Sequence, residues 1–294
     1  VLSLAAHEFA HTWNVKQLRP AGLKPIDGLY DFQHENYTDL LWVCEGTTDY
    51  IQRIALVRAG VNTPDDLLKG LGAMIETARS KPGAAVQSAA QSSFDAWVNF
   101  ERSWADAVNT TVSFYDKGEW ISLALDMELR ARSANKVSLD TVMRELYHAF
   151  PLDGPGYTQE DLIRTAEKLT ISNFHDWFAD FVGGVKPIEF ERALGIAGLE
   201  VTREPSKPDA ESKDSAASAE GGELAKRRAY IGVNLSGDGT VSSVLADGPA
   251  YKAGLIAGDI VAAINGQRLK GDLDAQLKQI KPGDVVRVTF FRYD

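Results

Sequence analysis

The sequence has little cysteine, no excess of basic charge and no long apolar run. A single cysteine, Cys44, stands among 294 residues, which excludes an internal disulfide framework and a zinc site built from cysteine thiolates. Lys and Arg number 31 against 41 Asp and Glu, a net charge of −10. Because phosphate contacts need a basic surface, we expect no nucleic-acid partner. No apolar run approaches the roughly 20 residues of a membrane span, so no transmembrane segment is predicted.

The chain is long enough for two domains and apolar enough to fold, with 44% hydrophobic residues among 294. Residues 1–203 carry apolar side chains at three- and four-residue spacing, which predicts helices. The clearest predicted helices are Leu40–Val57, Ile121–Leu129, Leu139–Leu146 and Leu162–Leu169. Thr63, Thr158 and Ser172 are predicted N-caps, and Gly60 follows a predicted helix end.

The composition changes after residue 203. Glu204–Gly222 lacks any large apolar residue, so we expect a flexible linker over residues 204–228. Residues 229–294 alternate apolar and polar side chains, which is typical of strands. The predicted strands are Ala229–Leu235, Thr240–Leu245, Asp259–Asn265 and Asp284–Phe291, with a helix at Leu273–Ile280 and a hairpin turn at Asn265–Gly266. The predicted fold class is α+β: a mainly α-helical portion followed by a small α/β domain.

Two of the five histidines lie four residues apart, in the sequence His7-Glu8-Phe9-Ala10-His11. On a helix this spacing places both imidazoles on one face, where they can bind one metal ion. Glu8 stands beside that face, where it can accept a proton from a metal-activated water. This arrangement is typical of zinc peptidases, with the glutamate as general base. The alternative is a pair of histidines on a helix surface.

A catalytic zinc site needs a third protein ligand. Glu45 is the best candidate, because it follows an apolar run in which an unpaired carboxylate would be costly to bury. Asp49 lies one helical turn further on and can accept the second N–H of a ligand histidine. Cys44 points about 100° away from Glu45 and is interpreted as a core residue. Glu45 and Asp49 could also be surface carboxylates.

These motifs together resemble the M61 glycyl aminopeptidases. The resemblance rests on His7–Asn14, Arg19-Pro20, Trp42–Tyr50 and Ser113–Gly118. That family belongs to the gluzincins, the thermolysin-like metallopeptidases with a His-Glu-x-x-His helix and a distant glutamate ligand. It implies Zn²⁺ held by His7, His11 and Glu45, with Glu8 as the catalytic base. It also implies that Tyr115 donates a hydrogen bond to the oxyanion of the tetrahedral intermediate.

The resemblance also has departures. The family carries an N-terminal β-rich domain and a Gly-Gly-x-Glu-type segment that seats the substrate's free amine, and neither is present in this sequence. The chain opens at Val1 directly in a helical pattern without an N-cap, so we expect it to be a fragment. Removal of small N-terminal residues, Gly and Ala, is therefore implied by the resemblance alone. A gluzincin endopeptidase is the first alternative function.

The C-terminal region resembles a bacterial-type PDZ domain. The resemblance is carried by Ala229–Val233, Gly248–Leu255, Gly258–Val261 and Ile264–Gly266. Successive N–H groups of Tyr230, Ile231, Gly232 and Val233 can form a nest for the carboxylate of a peptide C-terminus. A PDZ fold that serves only as a packing partner is the alternative. A usual last strand is missing after residue 294, so this end is also expected to be truncated.

The predicted function is that of a zinc-dependent aminopeptidase acting on peptides. A non-catalytic peptide-binding scaffold, in which the PDZ-like domain is the active part, is the alternative from a different class. The other histidines, His34, His148 and His175, are interpreted as core or surface residues. The sequence does not assign a compartment.

Overall fold

The computed structural model describes residues 1–23, 33–100, 104–203, 229–270 and 273–293. The chain divides into two compact units, the first made of Val1–Ser103 and Thr110–Val201, the second of Trp104–Asn109 and Thr202–Asp294. The predicted linker, residues 204–228, lies outside the described residues. The fold class is confirmed, since the first unit is helical and the small antiparallel sheets all lie in the second.

The described residues up to 203 contain eleven α-helices in chain order. They are α1 Leu2–Ala10, α2 Thr47–Arg58, α3 Pro64–Ser80, α4 Ala89–Phe94, α5 Ala96–Asn99, α6 Ala107–Thr110, α7 Phe114–Arg132, α8 Leu139–Ala149, α9 Gln159–Thr170, α10 His175–Phe178 and α11 Phe190–Ile196. Two π-helices, Trp42–Gly46 and Ala179–Gly183, and two 3₁₀ turns, Ala21–Leu23 and Pro82–Ala85, complete the regular structure. No helix among the described residues combines the length and hydropathy needed to cross a bilayer.

Helix α7 runs through the core of the first unit and is buried on almost every side. Its buried carboxylates are therefore all paired, as burial of a charge requires. Asp126 accepts hydrogen bonds from the Tyr50 hydroxyl and the Leu139 backbone N–H, both at 2.7 Å. Glu119 accepts from Arg53 at 2.7 Å. Burial raises the pKa of Glu119, and the neighbouring Arg53 guanidinium opposes that rise.

Most of the predicted helix signals are confirmed. Thr63 and Thr158 each accept a hydrogen bond from the third helical residue, and that residue's side chain accepts in return from the cap backbone. Gly60 has a φ of +69° directly after α2 and its cap. Ser172 is not an N-cap: its hydroxyl donates to the Thr170 carbonyl at 3.3 Å. The next helix begins at His175 instead, since the Glu167 carboxylate accepts the Phe174 N–H at 2.7 Å.

The predicted helix Leu40–Val57 differs from an ordinary α-helix at its start. Trp42–Gly46 forms a π-helical turn before α2 begins at Thr47. The Trp42 N–H donates to the Ser93 hydroxyl at 2.9 Å, which ties the turn to α4. A turn with one extra residue changes which side chains share a face, and such turns are frequent at functional sites.

The second unit contains five short strands and two short helices in its described residues after 229. They are β1 Val233–Leu235, β2 Val241–Val244, α12 Pro249–Lys252, β3 Ile260–Ile264, β4 Gln267–Arg268, α13 Leu273–Leu277 and β5 Val288–Phe291. β1 pairs antiparallel with β2, and β3 lies between β4 and β5. The predicted turn is confirmed: Asn265 and Gly266 have φ of +49° and +76° and join β3 to β4.

Candidate metal centre

Helix α1 places the two histidines of the motif side by side. His7 is buried and its ring centroid lies 4.6 Å from that of His11, edge to face. The two rings and Glu8 offer ligand atoms within 4.8 Å of one another. Glu8 itself is exposed. The spacing of four residues thus produces the juxtaposition that the sequence predicts.

Glu45 meets both imidazoles from the π-helical turn Trp42–Gly46. Its Oε2 atom lies 3.2 Å from Nε2 of His7 and 3.2 Å from Nε2 of His11. The opposite nitrogen of each ring has its own partner: His7 Nδ1 lies 2.8 Å from Asp49 Oδ1, and His11 Nδ1 lies 2.7 Å from the Asn14 carbonyl oxygen. Asp49 therefore stands where the sequence predicts, behind a histidine that faces Glu45.

The partners of the two Nδ1 atoms favour one tautomer of each ring. A carbonyl oxygen and a carboxylate accept hydrogen bonds, so a neutral imidazole that donates to them does so from Nδ1. The Nε2 atoms face the Glu45 carboxylate, each 3.2 Å from its Oε2 atom. When both imidazoles are neutral, two nitrogen lone pairs and a carboxylate oxygen converge there, and a bound cation would stabilise them.

The donor set fits zinc. Two imidazole nitrogens and a carboxylate oxygen are ligand types found together in catalytic zinc sites, and three protein ligands leave a position open. Ligand atoms about 2.0–2.1 Å from one tetrahedral ion lie about 3.3 Å apart, close to the 3.2 Å separations of this site. Histidine ligands typically donate their other N–H to a carboxylate or a backbone carbonyl, as both do in this chain.

Tyr115 lies across the same site, in the first turn of α7. Its ring stacks on His7 with centroids 6.1 Å apart, and its hydroxyl hydrogen-bonds to Glu45. Burial and the carboxylates of Glu45, Asp49 and Glu8 all raise the pKa of the Tyr115 phenol. The phenol is therefore protonated at neutral pH and is available as a hydrogen-bond donor.

A close crossing of two backbones sets Tyr115 opposite Glu45. A Cβ atom added at Gly118 would lie 2.5 Å from the Trp42 carbonyl oxygen and 3.0 Å from Gly46 Cα. Only glycine permits this approach of α7 to the π-helical turn. One helical turn further along the two helices, the hydroxyls of Thr47 and Ser122 hydrogen-bond to each other at 2.8 Å.

Asn14, which follows the histidine motif and is not among the predicted site residues, has a structural role at the site. Its side-chain amide donates to the Val43 carbonyl at 2.9 Å and to the Thr48 hydroxyl at 3.1 Å, which fixes the chain after α1 to the turn that carries Glu45. Its own carbonyl then orients His11. A backbone carbonyl leaves no signature in a sequence, so only the neighbouring motif could have drawn attention to Asn14. Cys44 is buried, as predicted, and burial raises the pKa of its thiol.

The predicted carboxylate nest lies at the start of the second unit. Gly232 has a φ of +80°, and the carbonyls of Ile231 and Gly232 accept from Ala250 and Leu245 at 2.8 and 2.9 Å. The N–H groups of Ile231 and Gly232 have no acceptor within the part of the chain that the structure describes. A cavity of about 510 Å³ adjoins this loop and is lined mostly by apolar residues, among them Leu255, Ile280 and Val286.

The remaining histidines lie on the surface. His34 and His148 are exposed, and His175 is exposed between Glu160 and Glu167, with Nδ1 2.8 Å from Glu167 Oε1. The hydrogen bond to Glu167 raises the pKa of His175. None of the three lies among the side chains of the metal centre.

Comparison with known proteins agrees with the histidine motif near the start of the chain and with the PDZ-like C-terminal region. Residues 1–121 match the family model of the M61 glycyl aminopeptidases, and residues 240–292 match the PDZ domain model. None of the curated proteins compared with the chain is similar enough to count as a relative.

A solved structure extends the likeness over the whole chain. It is described as an aminopeptidase N family protein from Idiomarina loihiensis, is 31% identical and superposes with a TM-score of 0.83 over 100% of this chain. This chain spans 49% of the length of that protein. The chain is therefore similar to the M61 glycyl aminopeptidases over residues 1–121 and to PDZ domains over residues 240–292, and the resemblance inferred from its motifs is confirmed.

Proposed function

We propose that this M61-type segment holds the active centre of a zinc-dependent aminopeptidase. The observation that carries the proposal is the convergence of His7 Nε2 and His11 Nε2 on Glu45 Oε2, each at 3.2 Å. These three residues would hold the ion. When bound, zinc supplies Lewis acidity and lowers the pKa of a water molecule to about 7.

The chain's own residues supply the remaining chemistry. Glu8 accepts the proton of the attacking water and passes it to the leaving amine, as a general base and then a general acid. The protonated Tyr115 phenol donates to the oxygen on which negative charge develops. Asp49 and the Asn14 carbonyl keep each imidazole in the tautomer that presents Nε2.

We infer the substrate class from the family. The matched family consists of glycyl aminopeptidases, so the proposed substrates are peptides with small N-terminal residues, Gly or Ala. The neighbouring solved structure is likewise described as an aminopeptidase N family protein. Neither observation excludes cleavage inside a peptide, which is the alternative that the assay has to test.

The experiment measures bound zinc and peptide cleavage in the intact protein and in Glu8→Gln. We expect stoichiometric zinc in both proteins and a loss of kcat in Glu8→Gln of about 10²-fold or more. Peptides beginning with Gly or Ala should be cleaved, and N-acetylated versions should not. A wild type without stoichiometric zinc, or a fully active Glu8→Gln, contradicts the proposal. Equal cleavage of the capped peptides assigns the site to an endopeptidase.

We further propose that the PDZ domain binds a peptide C-terminus. The free N–H groups of Ile231 and Gly232 and the adjoining apolar cavity support this second activity. Fluorescence polarisation with a peptide ending in Val, compared with the same peptide amidated at its C-terminus, tests it. We expect the amidated peptide to bind at least about tenfold more weakly, and equal binding of both peptides would contradict the proposal.

A further inference from the structure

Lys117 is buried in the second turn of α7, two residues after Tyr115, and lacks a carboxylate partner in the described residues. Its ammonium group donates to two backbone carbonyls, those of Ala84 and Gln87, each at 2.7 Å. Burial lowers the pKa of Lys117 to about 8. A charged amine held against carbonyl oxygens alone is a costly arrangement, and methionine would fill the same space at less cost.

The two carbonyls belong to a segment that also contacts the chain just before Tyr115. The Gln87 side-chain oxygen accepts the Val112 N–H at 3.0 Å, and the backbone of Gly83 lies directly against Thr111. Lys81, at the start of the same segment, pairs with Asp116. Residues 81–87, which we term the bracket, are thus bonded to the chain both before and after Tyr115.

The ring of Tyr115 contacts His7, Phe100 and Phe114, and its hydroxyl hydrogen-bonds to Glu45. Its backbone N–H reaches the Ser113 hydroxyl at 3.2 Å, and its ring is only half-buried. The bracket and the close crossing at Gly118 together hold the first turn of α7. Lys117 follows Tyr115 in the helix and donates the two hydrogen bonds that join this part of the helix to the bracket.

We propose that Lys117 is a positioning residue for the reaction, which acts by holding Tyr115 in place through the bracket. This inference rests on the function proposed above. It concerns a residue that touches neither the metal ligands nor Glu8, so its effect on catalysis must pass through Tyr115.

A double-mutant cycle tests the inference in the intact protein, with Lys117→Met, Tyr115→Phe and the combined variant. Lys117→Met should lower kcat by about 10-fold or more and leave KM within about twofold. Added to Tyr115→Phe, the same change should lower kcat less than about threefold, because the phenol that it positions is already absent. Equal losses in both backgrounds would overturn the inference.

Two controls keep the result interpretable. Ser138→Ala removes the N-cap of α8, away from the bracket, and should lower thermal stability with little change in kcat. If Lys117→Met does not fold, Gln87→Met breaks the bracket from the other side and enters the same cycle with the same expected result. Zinc content must stay stoichiometric in every variant. A wild type without zinc refutes the proposed function, whereas an additive cycle in a zinc-loaded enzyme refutes only the role of Lys117.

Discussion

The close crossing of α7 over the π-helical turn gives a direct prediction for Gly118→Ala. The added methyl group would lie 2.5 Å from the Trp42 carbonyl oxygen, whereas an unstrained C···O contact is about 3.3–3.6 Å. Both neighbouring atoms are backbone atoms, so no side chain can rotate away. The two helices must separate by about 1 Å, and this separation moves Tyr115 away from Glu45.

The magnitude follows from two opposed terms. Overpacking of this kind costs about 1–3 kcal/mol, and alanine returns up to about 1 kcal/mol because it favours the helix more than glycine does. With backbone on both sides of the contact we expect a net loss of about 1–2 kcal/mol. For a unit of this size that lowers Tm by about 2–8 °C. A displacement of about 1 Å in the site should also lower kcat by about 10-fold or more.

Calorimetry and peptide hydrolysis measure both effects, and Gly72→Ala is the matched control. Gly72 lies in α3, is exposed, and has no atom within 4 Å of its added Cβ. Its replacement should raise stability by about 0.4–1 kcal/mol and leave kcat unchanged. If Gly118→Ala proves as stable and as active as Gly72→Ala, the crossing does not set the geometry of the site.

Three further predictions concern individual side chains. Tyr115→Phe should lower kcat by about 10²–10³-fold with little change in KM or Tm, since it removes one oxyanion donor; an unchanged kcat removes Tyr115 from the mechanism. Asp49→Asn should weaken zinc binding by about 10–100-fold in a chelator competition, because His7 loses its charged partner; Asp140→Asn, on the surface, should not. The unfolding free energy of wild type relative to Lys117→Met should rise between pH 8 and pH 10.5, the lowered and ordinary pKa of Lys117, because the unfolded state then binds more protons. A flat difference would show that burial does not perturb the lysine.

Local patterns in the sequence were enough for most of the helices. The hydroxyl of Thr63, Pro64 behind it and Asp66 at the third helical position interact within one turn, so the start of α3 depends on neighbours in the chain. The Asn265-Gly266 hairpin is similar, since the left-handed conformation of both residues belongs to a two-residue turn. Ser172 is not a cap, and the Phe174 N–H that it could have bound donates to Glu167 on the preceding helix instead. A pattern of cap residues does not show which of two nearby acceptors an N–H group binds.

In the candidate metal centre too, local patterns predicted some features and not others. The four-residue spacing of His7 and His11 places both rings on one face of any helix, and the apolar run before Glu45 led to the prediction that its carboxylate binds a cation. Glu45 lies in a π-helical turn, and this turn places its Oε2 atom 3.2 Å from the Nε2 atoms of both rings. The apolar spacing predicted an ordinary α-helix over this segment. A π-helical turn has one extra residue but the same apolar composition, so the spacing of apolar residues does not distinguish it from an α-helical turn.

The sequence by itself therefore determined the residue types of the candidate site and the segment that resembles a PDZ domain, and from these the zinc ligands and the proton-transferring glutamate are predicted. These depend on residue types and short spacings. Only the tertiary structure decided how the parts meet. The backbone contact of Gly118 with Trp42, the Asn14 carbonyl behind His11 and the Lys117 bracket around Tyr115 all join residues distant in the chain or use backbone atoms. Backbone groups are the same in every residue, so their positions become known only when the chain is folded.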